Sequence, residues 1–323
     1  MTALVIGAVL IGRNEGARLL SCLASIPQGV AVVYVDSGST DGSVFAARAA
    51  GARVVSLDMT RPFTAARARN EGYAALIAAG PVDYVQFVDG DCTLDPAWID
   101  TAVAFLQANS EAVVACGRRR ERFPEASVYN RLCDWEWDTP VGQVRACGGD
   151  ALMRTRSFAA VGGFNAGLIA GEEPELCVRL RAAGGEVWRL DHEMTLHDAA
   201  MTRLGQWWKR ARRAGHAGAE GAALHGAPPE SLGVAPTRRA LVWGLGLPFL
   251  ILGATIFFSP WALILLLVYP AQVLRLARRY GPGRIGWERA FFLTLGKFPE
   301  VTGVLEYWGR RLIGRPAGLI EYK

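Results

Sequence analysis

The sequence predicts an α/β protein: a mostly parallel sheet with helices on both faces, followed by a helical membrane hairpin and helices at the membrane surface. Three observations carry this. Short β-branched runs alternate with helical repeats over about the first 200 residues, the pattern of parallel strands joined by crossover helices. One run, Tyr84-Val85-Gln86-Phe87-Val88, stops at Asp89-Gly90-Asp91. Two carboxylates therefore stand at the carboxyl end of a strand, where ligands bind in open α/β sheets. Finally, no charged residue occurs between Arg239 and Arg275, room for apolar helices that each need roughly 20 residues to cross a bilayer.

The elements follow in order. Ala3–Ile11 reads as a buried first strand rather than a signal peptide, because no basic residue precedes it and it runs straight into Arg13-Asn14-Glu15. Asn14 is placed to cap a helix whose Leu19, Leu20, Leu23 and Ile26 recur at helical spacing. A second strand, Val30–Val35, ends in the polar loop Asp36–Ser43, and an Ala-rich helix follows. Arg53–Leu57 is a third strand, and Ala65–Ala79 a helix carrying Arg67, Arg69 and Asn70. After Asp91, Asp95-Pro96 marks a helix start, and Ala112–Gly117 is a further strand. The basic run Arg118–Arg122 and the Trp135/Trp137 pair fall in a less regular segment read as lying on the acceptor side, the charge run itself being more often a solvated face. Cys147–Met153 is strand-like, and Val161-Gly162-Gly163-Phe164 a tight turn. Glu172, Glu173 and Glu175 open a helix where its dipole favours negative charge. Glu186–Leu190 is a strand, with His197 soon after. Right-handed crossovers gather the loops that follow the strands at one edge, so Asp36 and Asp89 should meet there.

The totals fit. With 35 Lys+Arg against 30 Asp+Glu the net charge is +5, which suits an anionic substrate or membrane surface and is too small to argue for nucleic acid. The cysteines Cys22, Cys92, Cys116, Cys133, Cys147 and Cys177 contain no Cys-x-x-Cys pair, which fits reduced thiols better than a disulfide or zinc framework. Two hard oxygen ligands beside a glycine suit Mg²⁺ or Mn²⁺ carrying a diphosphate.

The expected domains are 1–215 for catalysis, 216–236 as an Ala/Gly/Pro-rich linker, 237–280 as the apolar hairpin, spanning or re-entrant, and 281–323 as an amphipathic interfacial segment kinked near Pro299. Arg238, Arg239, Arg275, Arg278 and Arg279 at the hairpin's two ends hold both on the cytoplasmic side of an inner membrane.

The ordered motifs resemble those of family 2 glycosyltransferases with the GT-A fold, a Rossmann-like sheet. These are Gly12-Arg13-Asn14-Glu15, Asp36-Ser37-Gly38-Ser39-Thr40-Asp41-Gly42-Ser43, Arg69-Asn70-x-Gly72, Asp89-Gly90-Asp91, Val161-Gly162-Gly163-Phe164 and Gly171-Glu172-Glu173-x-Glu175-Leu176. The resemblance covers about residues 3–200 and implies roles. Asp36 would read the nucleotide base, usually uracil. Ile11, Arg13, Glu15, Arg69 and, in reserve, Arg67 would adjoin the nucleotide sugar. Asp89 would serve the ribose and the metal, and Asp91 would ligate the metal directly, with His197 a candidate third ligand. Glu173, where the family carries Asp, or its neighbour Glu172, would be the general base.

The implied activity is inverting, metal-dependent transfer of a sugar from a nucleotide-sugar donor, a UDP-sugar being the expectation, to a hydroxyl of a lipid-linked or membrane-proximal saccharide acceptor. Surface polysaccharide or glycolipid synthesis is the implied setting. Three alternatives differ in signature. A sugar nucleotidyltransferase would show a basic, Gly-rich loop after the first strand. A processive polysaccharide synthase would carry Gln-x-x-Arg-Trp, of which Gln206-x-x-Lys209-Arg210 keeps little. A non-catalytic scaffold would not need Asp89, Asp91 and Glu173.

Overall fold

A computed structural model describes residues 4–314. Ala3 and the tail beyond residue 314 lie outside the described residues. The chain divides into two compact units, Met1–Ala200 and Met201–Lys323.

The first unit contains strands β1 (Ile6–Gly12), β2 (Ala31–Asp36), β3 (Arg53–Ser56), β4 (Tyr84–Asp89), β5 (Cys92–Leu94), β6 (Ala112–Glu121), β7 (Gly142–Gln143), β8 (Ala151–Arg154) and β9 (Glu186–His197). Its helices are α1 (Ala17–Ser25), α2 (Ser43–Ala49), α3 (Ala65–Ile77), α4 (Trp98–Ala108), α5 (Val128–Glu136), α6 (Thr155–Ala160) and α7 (Glu172–Ala182). All nine strands form one sheet in the order β3-β2-β1-β4-β8-β6-β9-β5, with β7 on β9. Strands β1 to β4 are mutually parallel, as are β6 and β9; β8 runs antiparallel between β4 and β6. The expected parallel sheet is therefore present, with reversed strands in its second half.

Register decides where the site lies. Gly12 pairs with Asp36 and Ile11 with Asp89, so both strand-ending carboxylates stand level at one edge, as expected. Beneath them Ala8, Val9, Val33, Val35, Val85 and Phe87 are buried. Strands covered on both faces read as continuous apolar runs for this reason.

Local expectations change in four places. Asn14 does not cap α1: it sits at φ 56°, and its Oδ1 accepts from the Thr40 amide at 2.7 Å, tying the first loop to the second. Asp95 does not cap the next helix either; its side chain accepts from Ala97 N, and α4 begins at Trp98. The segment after Gly117 is not irregular, because β6 continues to Glu121 and α5 follows, capped by Ser127 Oγ on Asn130 N. Strand β9 likewise runs on to end at His197.

In the second unit the largest departure is residues 216–236. Helix α8 spans Leu204–His225 without a break, so most of the expected linker is helix. The small residues there serve packing, a Cβ at Gly233 reaching 2.0 Å from Gly218 O, and glycines beside the segment do the same. A side chain at Gly215 would place its Cβ 2.0 Å from Glu300 O, and one at Gly303 would reach 1.9 Å from Arg212 O. Only glycine lets these two helices cross so closely. Ala219, Ala240, Val301, Val304 and Tyr307 form the unit's apolar core. Gln206 accepts from Thr202 N and Arg203 N, closing the start of α8.

Two helices, Val234–Phe257 and Pro260–Tyr280, are long and apolar enough to cross a membrane. Phe249, Ile256, Phe257, Phe258, Trp261 and Ile264 are at least 65% exposed, the reverse of a soluble core hairpin. Tyr269 OH donates to Trp243 O across the pair. Helices Arg284–Leu295 and Lys297–Leu312 follow, broken at Gly296, with Pro299 accommodated in the first turn of the second.

Candidate active site

The site gathers at the carboxyl edge of β1, β2, β4 and β6, closed by the start of α7. Its centre is Arg69 on α3. That side chain is 3% exposed and binds three carboxylates: Asp89 Oδ1 at 2.9 Å, Glu172 Oε1 at 2.8 Å and Glu173 Oε1 at 3.1 Å. A strand end and a helix start are thus fastened to one guanidinium. Planar, multidentate Arg is suited to this in a way Lys is not. The turn at Phe164 is locked to the same helix, since Asn70 donates to Phe164 O and accepts from Phe164 N.

The other oxygen of Asp89 accepts from Arg119 Nη2 at 3.1 Å. Arg119 also lies 3.4 Å from Asp150 Oδ2 and stacks 4.9 Å from the Trp137 ring. Asp150 is fully buried; it accepts from the Asp89 amide and from Thr195 Oγ1. Four carboxylates, Asp89, Asp150, Glu172 and Glu173, therefore meet two guanidinium groups. The Nε–H of both Arg69 and Arg119 is buried without an acceptor.

Asp91 occupies a different environment. It is 3% exposed, with Oδ2 3.3 Å from His197 Nε2. The other imidazole nitrogen faces Glu121 Oε2 at 3.6 Å, and Trp137 packs edge-on at 4.8 Å. Burial, with Arg119 adding to it, pushes His197 below its ordinary value, which favours the neutral ring. A neutral imidazole between two carboxylates is the arrangement that orients a histidine for a metal ion. Ligand atoms of Asp91, Cys92 and His197 lie within 4.8 Å of one another, as do those of Asp89, Cys92 and Asp150. The donors fit a divalent ion held chiefly by Asp91 and His197, with Asp89 in the adjoining group.

Glu173 shares the Arg69 guanidinium with Asp89. Burial first, then the Glu172 charge, raises its carboxyl from 4.5 to about 7, against the lowering effect of Arg69. Such a value suits a proton acceptor near neutral pH. Glu172 is more deeply buried than Glu173, its side chain 5% exposed against 16%. Beside these groups runs Gly149. A Cβ there would sit 3.0 Å from Arg69 Nη2, 3.2 Å from Asp89 Oδ2 and 3.3 Å from Glu173 Oε1, so glycine lets the backbone pass close to the ion-pair cluster.

The remaining predicted residues separate. Asp36 is buried; its Oδ2 accepts from Gly38 N and Ser39 N and its Oδ1 from Tyr34 OH. Ile11 lies at the floor, its carbonyl accepting from Gly90 N. Arg13 is exposed on the β1–α1 loop, and Glu15 pairs with Arg18 at 2.8 Å. Arg67 is not in the cluster. It holds Glu71 and the carbonyls of Asp58, Arg61 and Pro62, being two residues before Arg69 and so on the opposite face of the helix.

Sequence reading passed over Arg119 and Asp150. Strand alternation over Arg118–Arg122 was the available signal: Arg118 and Arg120 both reach Asp134, whereas Arg119 turns to Asp89. For Asp150 the signal was a Gly-Gly pair entering a strand.

Residues 8–161 match the family model described as glycosyl transferase family 2. An uncharacterized glycosyltransferase of Mycobacterium tuberculosis (strain H37Rv) is 30% identical over 197 residues, 55% of this chain and 79% of the relative. Succinoglycan biosynthesis protein ExoA of Rhizobium meliloti is 28% identical over 195 residues, 55% of this chain and 58% of that protein. Among solved structures, the mannosyltransferase PcManGT from Pyrobaculum calidifontis, in complex with GDP-Man and Mn²⁺, superposes with a TM-score of 0.65. It is 17% identical, the match covering 95% of this chain and 88% of PcManGT.

Proposed function

The chain belongs to glycosyl transferase family 2 and has the GT-A fold, and from that premise we propose inverting, divalent-metal-dependent transfer of a sugar from a nucleotide diphosphate sugar to an acceptor hydroxyl. The observation that carries this is the double attachment of Arg69. Asp89 on the donor side and Glu173 on the acceptor side lie beside Gly149, held by one guanidinium.

In this reading Glu173 takes the proton from the acceptor hydroxyl as that oxygen attacks the anomeric carbon. Glu172 and Arg69 fix its position, and its raised pKa matches the task. Asp89 receives the ribose side of the donor, and Asp36 the base. The unpartnered Nε–H groups of Arg69 and Arg119 suit diphosphate oxygens. Asp91 and His197 would hold Mg²⁺ or Mn²⁺, which when bound neutralises charge on the leaving diphosphate. Arg13 and Glu15 at the open loop, and Ile11 at the floor, line the nucleotide end. Arg67 acts by shaping the 58–62 loop.

The donor is assigned as a UDP-sugar, with the GDP-sugar of PcManGT as the competing nucleotide. The acceptor is a lipid-linked or membrane-proximal saccharide, and the setting surface polysaccharide or glycolipid synthesis at the cytoplasmic face of the inner membrane. The two exposed apolar helices, flanked by arginines, and the likeness to ExoA support that setting. Calorimetry on the full chain in detergent tests the core of this reading. UDP and GDP should bind measurably tighter with Mn²⁺ than without it, and Asp91→Ala should abolish that difference. Metal-independent binding, or an unchanged Asp91→Ala, would overturn it.

A further inference from the structure

Cys92 has no role in the reading above, yet it is the residue common to both groups of metal-compatible side chains. It opens β5 and pairs directly with His197 at the end of β9. Directly opposed residues of an antiparallel pair present their side chains to the same face. The Cys92 thiol is fully buried and lies 3.8 Å from Asp91 Oδ1. Its sulfur, an Asp91 oxygen and a His197 nitrogen all fall within 4.8 Å of one another. That spacing is compatible with three donors around one ion.

We propose that Cys92 is a sulfur donor in the divalent-ion site, making the site prefer thiophilic ions such as Cd²⁺ and Zn²⁺ over Mg²⁺. This rests on the assignment of Asp91 and His197 to the ion. Mg²⁺ takes oxygen ligands in near-octahedral geometry and gains nothing from a thiol. Carboxylate, imidazole and thiolate together suit Zn²⁺ and its heavier congener. As the sulfur–metal bond forms the S–H bond breaks, the proton passes to water, and nothing is oxidised. Zn²⁺ and Cd²⁺ would thereby compete with the ion used in turnover.

The test is a Cd²⁺ titration of the full chain in detergent, read by sulfur-to-cadmium charge-transfer absorption, beside Mn²⁺ binding read by electron paramagnetic resonance. Wild type should develop a saturable thiolate–cadmium band that Mn²⁺ suppresses. Cys92→Ser should lose the band and bind Cd²⁺ about tenfold or more weaker, while Mn²⁺ affinity changes far less. Cys92→Ala, which fills the same buried position without a polar atom, should behave alike. Cys147 and Cys177, with sulfurs 3.6 Å apart, are the other thiols able to share an ion, so Cys147→Ser should keep the Mn²⁺-sensitive band. A band that survives in Cys92 variants with normal Mn²⁺ binding overturns the proposal and leaves the Asp91 site standing. Parallel loss of Cd²⁺ and Mn²⁺ overturns it as well, by making Cys92 structural. Unchanged Mn²⁺ binding in Asp91→Ala would remove the ion site itself, and the proposal with it.

Discussion

The two carboxylates on either side of Gly90 live in opposite surroundings. Asp89 is gripped by two guanidinium groups, Arg69 and Arg119, whereas Asp91 faces a neutral imidazole and a thiol. The first has its countercharge built into the protein. The second has an imidazole nitrogen and a sulfur, two potential metal donors, beside it. The difference sets an ion-paired carboxylate beside the one proposed to take the metal, although both residues belong to one three-residue motif.

Breaking the Asp89 side should have the largest effect. Arg69→Met leaves Glu172 buried without its cation and Asp89 with Arg119 alone, and should destabilise the chain by about 3–5 kcal/mol, read as a fall in the thermal midpoint. The comparison fails if this variant also loses Mn²⁺ binding while remaining folded, because the ion side should be independent of Arg69. Next comes the acceptor wall. Glu173→Gln should lower turnover roughly 10²–10⁴-fold while the donor still binds; a variant that keeps turnover moves the base elsewhere.

Acidity sharpens the same division. A base with its pKa at about 7 gives turnover that rises with pH through that value and then levels. Glu172→Gln removes a charge that raises Glu173, so the rise should move to lower pH. The sign for stability is opposite. Because folding raises this carboxyl from 4.5 to about 7, the folded chain holds the extra proton, and stability should decline as pH climbs through that window. A titration monitored by thermal midpoint checks both limbs. The smallest effect belongs to Arg120→Ala. Its side chain is 45% exposed in its pairs with Asp134 and Glu193, so the loss should be no more than about 1 kcal/mol, with turnover unchanged. Arg119→Ala, one residue away, should impair donor binding.

That neighbouring pair illustrates what could be read in advance. The strand ends at Asp36 and Asp89 were legible because apolar runs and turn residues mark them locally. The carboxylates of α7 were legible because a helix start favours them. Arg119 and Asp150 were not, because their importance arises from β8 entering antiparallel between β4 and β6, a non-local pairing that no window of sequence contains. The linker expectation failed for the converse reason. Glycine and alanine signal flexibility when read alone, but at Gly218 and Gly233 they signal close backbone contact, since a Cβ at Gly233 would sit 2.0 Å from Gly218 O.

The two apolar helices of the second unit differ in residue count, 24 against 21, but not in reach. The second begins with 8 residues of 3₁₀ helix before 13 of α-helix. A 3₁₀ residue advances about 2.0 Å where an α residue advances about 1.5 Å, so both arms extend roughly 35 Å. Arg239 and Arg275 then stand at nearly the same height above the turn. Had the second arm been α-helical throughout, Arg275 would lie about 4 Å closer to the turn. In a bilayer that would draw its charge down into hydrocarbon, which is costly. If the pair enters a bilayer, the stretched turns of Pro260–Leu267 would act as a spacer, levelling the two charged rims at one headgroup plane.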